Sequence, residues 1–398
     1  MREMNSSERL SVVFIWHTLS PYLIARMDSL GKQPAINLVV IEVNARAIGR
    51  EWEVQRKAED FKLITLFEDY KHNTSYVDMY NQLSNTLTAS VPDVIFLPSW
   101  YEPCSWMALR WAKKNNKPCA VFVESTEIDY PRSFLRELPK KYFLKQMEGA
   151  IVAGPKSAEY VQKLGMEPGR ICIVGNVVNN ELFSSECKSL REDPNKNCPL
   201  QFPTYKYFLY VGRFSPEKNL LTLLDAYQLY REYKSEDHWA LVLVGGGASE
   251  KELKNYKINL KIEDVHFIPF QQLPSLINYY AFAGAFILPS TREPWGLVVN
   301  EAMLCGLPVI VSRNCGCASA LVVDGVNGYT FDPNNSKELA ELMIKIYNGA
   351  LDQKKVEAFS QERMSIFSPE AYGFRVAECA RVMKNRQGFR FREFSLKL

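Results

Sequence analysis

Short apolar runs alternate with helical patterns along almost the whole chain, and the first series of runs has the character of buried strands. Each run is apolar through most of its length, as expected for strands that are covered on both faces. The runs are SVVFIW (11–16), INLVVIEV (36–43), FKLITLF (61–67), DVIFLPS (93–99), CAVFVES (119–125), GAIVAG (149–154) and ICIVGN (171–176). Helical segments such as SWMALRWAKKNN (105–116) lie between them. This alternation predicts a doubly wound parallel sheet.

A polar stretch with three prolines interrupts the alternation at residues 184–204. A second series of runs follows: YFLYVGR (207–213), WALVLVGGG (239–247), VHFIPF (265–270), GAFILPS (284–290) and LPVIVS (307–312). The predicted fold class is therefore α/β, with two Rossmann-like domains at residues 1–190 and 207–370 joined by a linker at 191–206. Ligands bind such sheets outside the carboxyl ends of the strands, so we expect the site in a cleft between two facing domains.

Composition narrows the classes of function. A chain of 398 residues is too long for one ordinary core. Lys+Arg 48 against Asp+Glu 45 leaves a formal charge of +3, which gives no reason to expect a nucleic-acid partner. The nine cysteines lack metal-ligand spacing, and the chain opens with MREMNSSERL rather than a signal peptide, so we expect reduced thiols in a cytoplasmic protein. The uncharged window 273–290 is punctuated by proline and glycine, which favours a short helix and a buried strand over a membrane-spanning helix.

The second domain opens with a strand, a tight loop and a helix start in YVGRFSPEKNLLTLLDAY (210–227). Ser215, Pro216 and Glu217 have the order of an N-cap, a first-turn proline and a first-turn acid. Arg213 at the strand end and Lys218 in the first helical turn would point into one small volume, where two cations beside a helix N-terminus suit a diphosphate. The alternative is a surface arginine and a solvated lysine.

Two glutamates lie in the otherwise largely apolar stretch LPSTREPWGLVVNEAMLCGLPVIVS (288–312). A buried strand, a loop and a helix closed by a glycine are predicted there. Glu293 falls in the loop, where it can face the cleft, and Glu301 falls inside the helix. The backbone N–H groups of Gly296 and Leu297 at the helix start make a second anion cradle. The two carboxylates suit the vicinal hydroxyls of a sugar and a ribose, while a solvent-facing helix residue is the alternative for Glu301.

Five motifs in this order carry a family resemblance: GRFSPEKN, LVGGG, FIPFQQLPSLINYY, the stretch at 288–312, and VDGVNGYTF (323–331). Together they resemble the donor-binding domain of retaining glycosyltransferase family 4 (glycosyl transferases group 1), which has the GT-B fold. The resemblance is strong over residues 207–345 and extends to the N-terminal half only in outline. It implies a hexosyltransferase that moves a sugar from a nucleotide-diphosphate sugar to a glycan or lipid-linked acceptor in polysaccharide or glycoconjugate biosynthesis. The donor would bind the second domain and the acceptor the first, and a last helix at 371–398 would pack back on the first domain.

The resemblance also gives single residues a role. Arg213 and Lys218 match the basic pair that binds the diphosphate. Glu293 matches the acid that contacts the donor sugar, and Glu301 matches the acid that holds the ribose. The remaining donor-binding positions are Gly212, Gly245, Phe270, Pro294, Trp295, Gly296 and Leu297. Cations and amide dipoles would stabilise the leaving diphosphate, so neither a metal nor another cofactor is expected, and the chain contains no Asp-x-Asp motif of the metal-dependent transferases.

Two features of the N-terminal half depart from the family. Many members have a Gly-Gly loop after the first strand, where this chain has HTLSPYLIARM (17–27). Many also have a histidine at the position of Glu124, and that histidine often supports the acceptor or the donor sugar. His17 and Glu124 are therefore the catalytic candidates on this side, and a structural role is the alternative for the lone His17.

The stretch YPRSFLRELPKKYFLKQMEG (130–149) alternates basic with large apolar residues. Such a helix can lie on an anionic bilayer, which would bring the protein to the cytosolic face of a membrane. The alternative is a peripheral helix whose apolar face packs on the first sheet.

Two other functions stay open. Sugar-nucleotide 2-epimerases share the two-sheet fold, but they usually place more histidines and acids at the cleft than the four histidines of this chain provide. A nucleotide-sugar binding protein without turnover would keep the same donor residues. Dinucleotide binding is disfavoured, because GGGASEKE lacks the spaced glycine fingerprint.

Overall fold

The structure is a computed structural model, and it describes residues 9–45, 60–68, 75–130, 132–194, 198–199, 206–233, 238–385, 391 and 395. The strands among these residues are β1 (Leu10–Trp16), β2 (Ile36–Asn44), β3 (Lys62–Phe67), β4 (Val94–Leu97), β5 (Cys119–Val123), β6 (Gly149–Val152), β7 (Ile171–Ile173), β8 (Tyr207–Val211), β9 (Ala240–Val244), β10 (Val265–Ile268), β11 (Ala285–Leu288), β12 (Val309–Ser312) and β13 (Gly328–Phe331).

Most of the α-helices among the described residues lie between these strands, and the last three follow β13. The helices are α1 (Pro21–Gly31), α2 (Tyr76–Ser90), α3 (Pro103–Lys114), α4 (Phe134–Lys145), α5 (Pro155–Lys163), α6 (Asn180–Glu192), α7 (Leu220–Tyr233), α8 (Glu250–Asn259), α9 (Ser275–Phe282), α10 (Leu297–Leu304), α11 (Ala318–Leu321), α12 (Ser336–Tyr347), α13 (Gln353–Ile366) and α14 (Pro369–Asn385).

Two parallel sheets organise the chain. The first has the order β3-β2-β1-β4-β5-β6-β7, and the second has the order β10-β9-β8-β11-β12-β13. In each sheet the strand order reverses beside its first strand, between β1 and β4 and between β8 and β11. The loops that follow these two strands diverge to opposite faces, which makes each reversal a natural ligand position.

The predicted strands are present in both sheets, and the doubly wound α/β fold is confirmed. Strand β13 was not predicted. Its sequence, Gly328–Phe331, is short, and the two middle residues are half-buried, so no continuous apolar run marks it. The uncharged window 273–290 forms α9 and β11, as predicted. No helix among the described residues has both the length and the apolarity that crossing a membrane requires.

The chain divides into two units at a different place from the predicted boundary at 190. The first unit ends at Val177 and is rejoined by residues from Phe367 onward, and the second is Val178–Ile366. Helix α6 therefore belongs to the second unit. Its Arg191 donates hydrogen bonds to the carbonyls of Ala281 and Cys305, at the ends of α9 and α10, both at 2.7 Å. Only one face of α6 is apolar, so the polar sequence around it suggested a linker.

A disulfide joins α6 to the end of α10. Cys187 and Cys305 are both buried, with Cα atoms 5.7 Å apart. The expectation of reduced thiols is therefore wrong for this pair. Sequence spacing could not reveal it, because the pairing depends on how α6 packs against a helix more than a hundred residues away.

Helix α14 packs on α1 in the first unit. The hydroxyl of Ser29 donates to the carbonyl of Pro369 at 2.5 Å. A Cβ at Gly373 would lie 2.6 Å from the carbonyl oxygen of Ser29, so the close approach of the two helices needs a glycine there. Arg375 donates to the carbonyl of Val174, just after β7, at 3.2 Å.

Candidate functional site

Glycines bring the loops after β8 and β9 together at the carboxyl end of the second sheet. The N–H of Gly212 donates to the carbonyl of Val244 at 3.0 Å, and that of Phe214 donates to Gly246 at 2.8 Å. Gly245 has φ +146°, and a Cβ there would lie 2.0 Å from the carbonyl oxygen of Gly212. Any side chain at Gly245 would therefore push apart the loops that carry the basic pair.

The segment after β8 holds Lys218 in a short 3-10 turn, Pro216–Lys218, rather than in the first turn of α7. Ser215 is the N-cap of this turn, followed by Pro216 and the acid Glu217 as predicted, but its hydroxyl donates to the carboxylate of Glu217 at 2.7 Å and caps no backbone N–H of the turn. The turn ends at Asn219, which has φ +59° and donates to the carbonyls of Pro289 and Pro333. This bend separates the turn from α7 and ties it to the end of β11.

Lys218 and Glu293 form an ion pair in which Nζ contacts Oε2, and the two side chains are only 13% and 14% exposed. Arg213 is 79% exposed and lies 3.9 Å from Glu217. Burial raises the pKa of Glu217, but the hydrogen bond from Ser215 and the nearby cations Lys218 and Arg213 outweigh it and lower the pKa below its ordinary value. The site thus combines a fixed cation, Lys218, with a fixed carboxylate, Glu293, and a largely exposed arginine, Arg213.

The loop that carries Glu293 is fixed by the loop after β12. The N–H of Gly316 donates to the carbonyl of Glu293 at 2.8 Å, and the N–H of Cys317 donates to that of Trp295 at 3.1 Å. A Cβ at Gly316 would lie 1.8 Å from the carbonyl oxygen of Pro294. The indole of Trp295 is buried and donates to Asn300 on α10 at 3.0 Å.

Helix α10 begins where the sequence predicts it. Gly296 has φ +102° and precedes Leu297, the first helical residue. A Cβ at Gly296 would lie 2.8 Å from Leu288 and 3.3 Å from Glu293. The first N–H groups of a helix lack helical acceptors, so this turn presents donors and the positive end of a dipole next to the Glu293 loop.

Glu301 is completely buried on α10, and the hydroxyl of Tyr280 donates to its carboxylate at 2.7 Å. It is therefore not the solvent-facing helix residue of the alternative interpretation. Phe270, just after β10, is 37% exposed and so has an accessible ring face. The role of Glu301 toward a ribose stays a prediction, as does that of Phe270 toward a base.

In the first unit, His17 lies after β1 and is paired with a residue that sequence reasoning missed. Its Nδ1 is 3.5 Å from Oε2 of Glu102, which follows β4 and precedes α3. The pair therefore occupies the reversal point of the first sheet. The sequence signal for Glu102 was an acid immediately before Pro103 at a helix start, in the loop that follows a buried strand.

Glu124, after β5, is held by two further residues that the sequence did not suggest. Asn176 donates to its Oε1 at 2.8 Å, and Nη1 of Arg26 lies 3.8 Å from the same oxygen. Arg26 is only 2% exposed and also donates to the amide oxygen of Asn176. His17 and Glu124 thus lie on one sheet edge, and each has a charged partner.

The loop that follows Glu124 is tied to α4 and α5. Arg132 donates to the carbonyl of Glu127 at 2.7 Å and stacks 4.3 Å from the ring of Tyr160. Glu137 accepts from Lys140 at 2.9 Å and from Tyr160 at 2.8 Å. Burial raises the pKa of Glu137, but these two hydrogen bonds outweigh it and hold the pKa below its ordinary value. Within the described part of the chain, no group of three or more His, Cys, Asp or Glu residues could hold a metal ion.

Residues 193–363 match the family of glycosyl transferases group 1. Over these residues the chain is similar to that family. Every residue of the predicted donor site lies inside the match, from Gly212 to Glu301, whereas His17 and Glu124 lie outside it. The glycosyl transferases group 1 region thus coincides with most of the second unit.

Relatives support the same family. An uncharacterized glycosyltransferase of Methanocaldococcus jannaschii is 24% identical over 204 residues, which are 50% of this chain and 56% of that protein. A D-inositol 3-phosphate glycosyltransferase of Streptosporangium roseum is 25% identical over 262 residues, 63% of this chain and 59% of that protein. The chain spans little more than half the length of these two relatives.

A solved structure extends the likeness to both units. The crystal structure of HepE from Anabaena, in complex with UDP and glucose, has a TM-score of 0.70, an identity of 18%, and covers 93% of this chain and 99% of that one. At this identity the likeness shows the fold. The two parallel sheets of the chain therefore have the fold of HepE, in agreement with the GT-B fold that the motifs implied.

Proposed function

We propose that the protein is a glycosyltransferase that moves a hexosyl group from a nucleotide-diphosphate sugar to a hydroxyl of a glycan or lipid-linked acceptor, with retention of anomeric configuration. The observation that carries the proposal is the ion pair of Lys218 and Glu293 beside the start of α10, at the reversal point of the second sheet. The family match and the UDP and glucose bound to Anabaena HepE support it.

The donor site would work through charge. Breaking the bond between the sugar and the diphosphate leaves negative charge on the diphosphate, which cations and backbone dipoles stabilise if they are already in position. Lys218 is already held by Glu293, and the exposed Arg213 can close on the ligand. The N–H groups at the start of α10 supply the third donor. These groups supply positive charge from the chain itself, and we propose that transfer needs no metal.

Glu293 has a second task in this scheme. Lys218 engages its Oε2, and a carboxylate retains lone pairs at both oxygens for further donors. We propose that Glu293 accepts hydrogen bonds from hydroxyls of the donor sugar. Glu301 would hold the ribose, and the exposed ring of Phe270 would lie near the base. The acceptor would bind the first unit, where His17 and Glu124 lie.

Binding of nucleotides tests the proposal first. Thermal unfolding would be followed with UDP, GDP, ADP and their sugars, with and without Mg²⁺, because a ligand that binds the native state raises the melting temperature. We expect one base to stabilise the protein without metal and the nucleotide sugar to release its nucleotide when sugar acceptors are added. No stabilisation by any nucleotide would overturn the proposal. If the nucleotide sugar bound but its sugar was transferred neither to water nor to any sugar acceptor, a non-catalytic binding protein would be favoured.

We also propose that α4 contacts an anionic membrane. Its outward residues Phe134, Leu135, Leu138 and Tyr142 are 71%, 77%, 43% and 61% exposed, whereas Lys140, Phe143 and Leu144 are buried. The apolar stripe of α4 therefore faces away from the sheet. The alternative interpretation, in which this face packs on the first sheet, does not hold for these four residues.

Two lysines share this outward face. At 100° per residue, the four apolar residues and the exposed Lys141 and Lys145 fall within an arc of about 120°. Apolar side chains that can enter the headgroup region, flanked by lysines that meet anionic lipids, are the composition of an interfacial helix. A lipid-linked acceptor would then lie at the surface to which the first unit binds.

A further inference from the structure

The carboxylate of Glu124 is held at one oxygen, and its side chain remains partly exposed to solvent. Oε1 accepts from the Asn176 amide at 2.8 Å and lies 3.8 Å from Nη1 of Arg26, yet the Glu124 side chain remains 42% exposed. The Asn176 amide is itself oriented, since its oxygen accepts from Arg26 while its nitrogen donates to Glu124. A chain of contacts therefore runs from Arg26 through Asn176 to Glu124.

The start of this chain is a buried cation. The guanidinium of Arg26 lies 5.8 Å from the ring centres of both Phe122 and Tyr372 and is almost completely enclosed. Its Nε and Nη1 make no hydrogen bond within the described structure. Enclosing a charge with so few hydrogen bonds costs free energy that its one ion pair offsets only in part. Through these contacts Arg26 holds the Asn176 amide and the Glu124 carboxylate in a fixed direction.

The three residues converge from separate elements at one edge of the first sheet. Glu124 follows β5, Asn176 follows β7, and Arg26 lies on α1, the helix that follows β1. The carboxyl edge of a parallel sheet is where such folds bind ligands. An ionised carboxylate held there accepts hydrogen bonds from hydroxyl groups, and a carboxylate that is already oriented loses less entropy when it does so.

We propose that Arg26 and Asn176 are positioning residues that direct Glu124 to bind a hydroxyl of the acceptor sugar. This inference rests on the proposed transferase function and adds the residues that set its acceptor side. Arg26 and Asn176 do not touch the acceptor; they act through the orientation of Glu124.

A double-mutant cycle tests the inference. The donor would be the nucleotide sugar that stabilises the protein, and the acceptors would be methyl α-glucopyranoside, methyl α-mannopyranoside and octyl β-glucopyranoside. We expect Glu124→Ala and Asn176→Ala each to lower the acceptor-dependent kcat/KM about tenfold or more, mainly through the KM of the acceptor. The melting shift caused by the nucleotide should stay unchanged. Since Asn176 acts through Glu124, the double variant should be no slower than Glu124→Ala alone.

Two more variants make the test specific. Asn176→Asp keeps an oxygen for Arg26 but replaces the donor to Glu124 with a second carboxylate, so it should be at least as slow as Asn176→Ala. Arg375→Met removes a hydrogen bond to Val174 in the same segment without touching Glu124, and it should keep the wild-type acceptor KM. If Arg26→Met fails to fold, Arg26→Lys replaces it in the test, because lysine keeps a cation at this position. The rate of Arg26→Lys should lie between those of wild type and Asn176→Ala.

The inference would be overturned if the double variant combined the full kcat/KM losses of both single variants, or if Asn176→Asp had the wild-type rate. Neither result would contradict the proposed transferase function. Failure of the proposed function would be seen differently, as wild-type protein that no nucleotide stabilises.

Discussion

The amine of Lys218 contacts the carboxylate of Glu293 although 75 residues separate them in the chain. The contact exists because β8 and β11 are neighbours at the point where the strand order of the second sheet reverses. The loops that leave these strands share one edge, so a cation from the first and an anion from the second meet there without any local sequence signal. Each member of the pair is placed by the other, which is why we treat them as one unit of the proposed donor site.

Replacing Lys218 should weaken nucleotide binding and the fold together. Lys218→Gln removes a charge that a diphosphate would contact, and hydrogen bonds to charged groups contribute about 1.5–3 kcal/mol, which corresponds to a loss of affinity of roughly 10- to 100-fold. It also leaves the largely buried Glu293 without its cation, so the melting temperature should fall. Calorimetric titration with UDP, GDP and ADP measures the first effect.

The matched control is Lys254→Gln, because Lys254 forms an exposed pair with Glu250 on α8. An exposed pair contributes little, so nucleotide affinity and stability should stay near wild type. Equal affinities for wild type and Lys218→Gln would contradict the assigned role.

A methyl group at Gly296 should damage the proposed donor site in addition to straining the backbone at this residue. Gly296 and Gly165 have nearly the same φ, +102° and +103°, but a Cβ at Gly296 would meet Leu288 at 2.8 Å while one at Gly165 has nothing within 4 Å. Gly165→Ala should therefore cost only the strain of a left-handed residue, about 1–3 kcal/mol. Gly296→Ala should be less stable than Gly165→Ala and should also lose nucleotide affinity. Similar unfolding free energies for both variants, with intact binding, would argue against the close packing around α10.

The sequence predicts the strands well because buried parallel strands are continuous apolar runs, a purely local property. Gly212 and Gly296 are also predictable, since each has a positive φ that favours glycine, and Lys218 is predicted from its charge beside a helix start. The partners of Glu124 are not. Arg26 lies 98 residues before Glu124 and Asn176 lies 52 residues after it, and nothing local marks either as polar contacts of a carboxylate.

The domain boundary shows the same limit. Helix α6 has a mostly polar sequence, so the polarity of residues 184–204 suggested a linker. What assigns α6 to the second unit is Phe183, Cys187 and Arg191, each of which reaches α9 or the end of α10. Such long-range contacts are fixed by packing and leave no periodic signal in the chain.

Glu137→Gln should lower stability at neutral pH but not in acid. The pKa of Glu137 is held below its ordinary value of 4.5, so its stabilising contribution is complete above about pH 4.5 and is lost as the pH falls through the lower native pKa. We expect the variant to be about 1–3 kcal/mol less stable at pH 7 and the difference to shrink toward pH 3. Urea unfolding at pH 7, 5, 4 and 3 measures it, with the exposed Glu250→Gln as control. A difference that grows in acid would contradict this account of the network.

The outward face of α4 should hold the protein on anionic vesicles. Flotation with vesicles of phosphatidylcholine and phosphatidylglycerol should recover wild-type protein. Vesicles of phosphatidylcholine alone should not, because they lack the anionic lipid that the lysines attract. Raising the salt concentration should also release the protein, because salt screens this attraction. Leu135→Asp and Lys141→Glu should each reduce binding, since one adds charge to the apolar stripe and the other reverses a cation.

The control for α4 is Ile258→Asp, a change of the same kind at a residue of α8 that is 69% exposed. It should float like wild type. Equal recovery of Leu135→Asp and wild type would show that α4 is not the membrane surface, even if the protein binds vesicles by another face.

The buried carboxylate of Glu301 can be tested with the ligand rather than with the protein alone. If Glu301 holds the ribose hydroxyls, wild-type protein should prefer the ordinary nucleotide diphosphate over its 2′,3′-dideoxy analogue by about tenfold or more, since a charged acceptor would lose its donors. Glu301→Gln should bind the ordinary nucleotide more weakly and should lose most of that preference. Tyr280→Phe removes the hydroxyl that donates to Glu301 and should keep the preference while lowering stability. A preference that survives intact in Glu301→Gln would mean that the ribose is held elsewhere and that Glu301, already bonded to Tyr280, serves the packing of α10 alone.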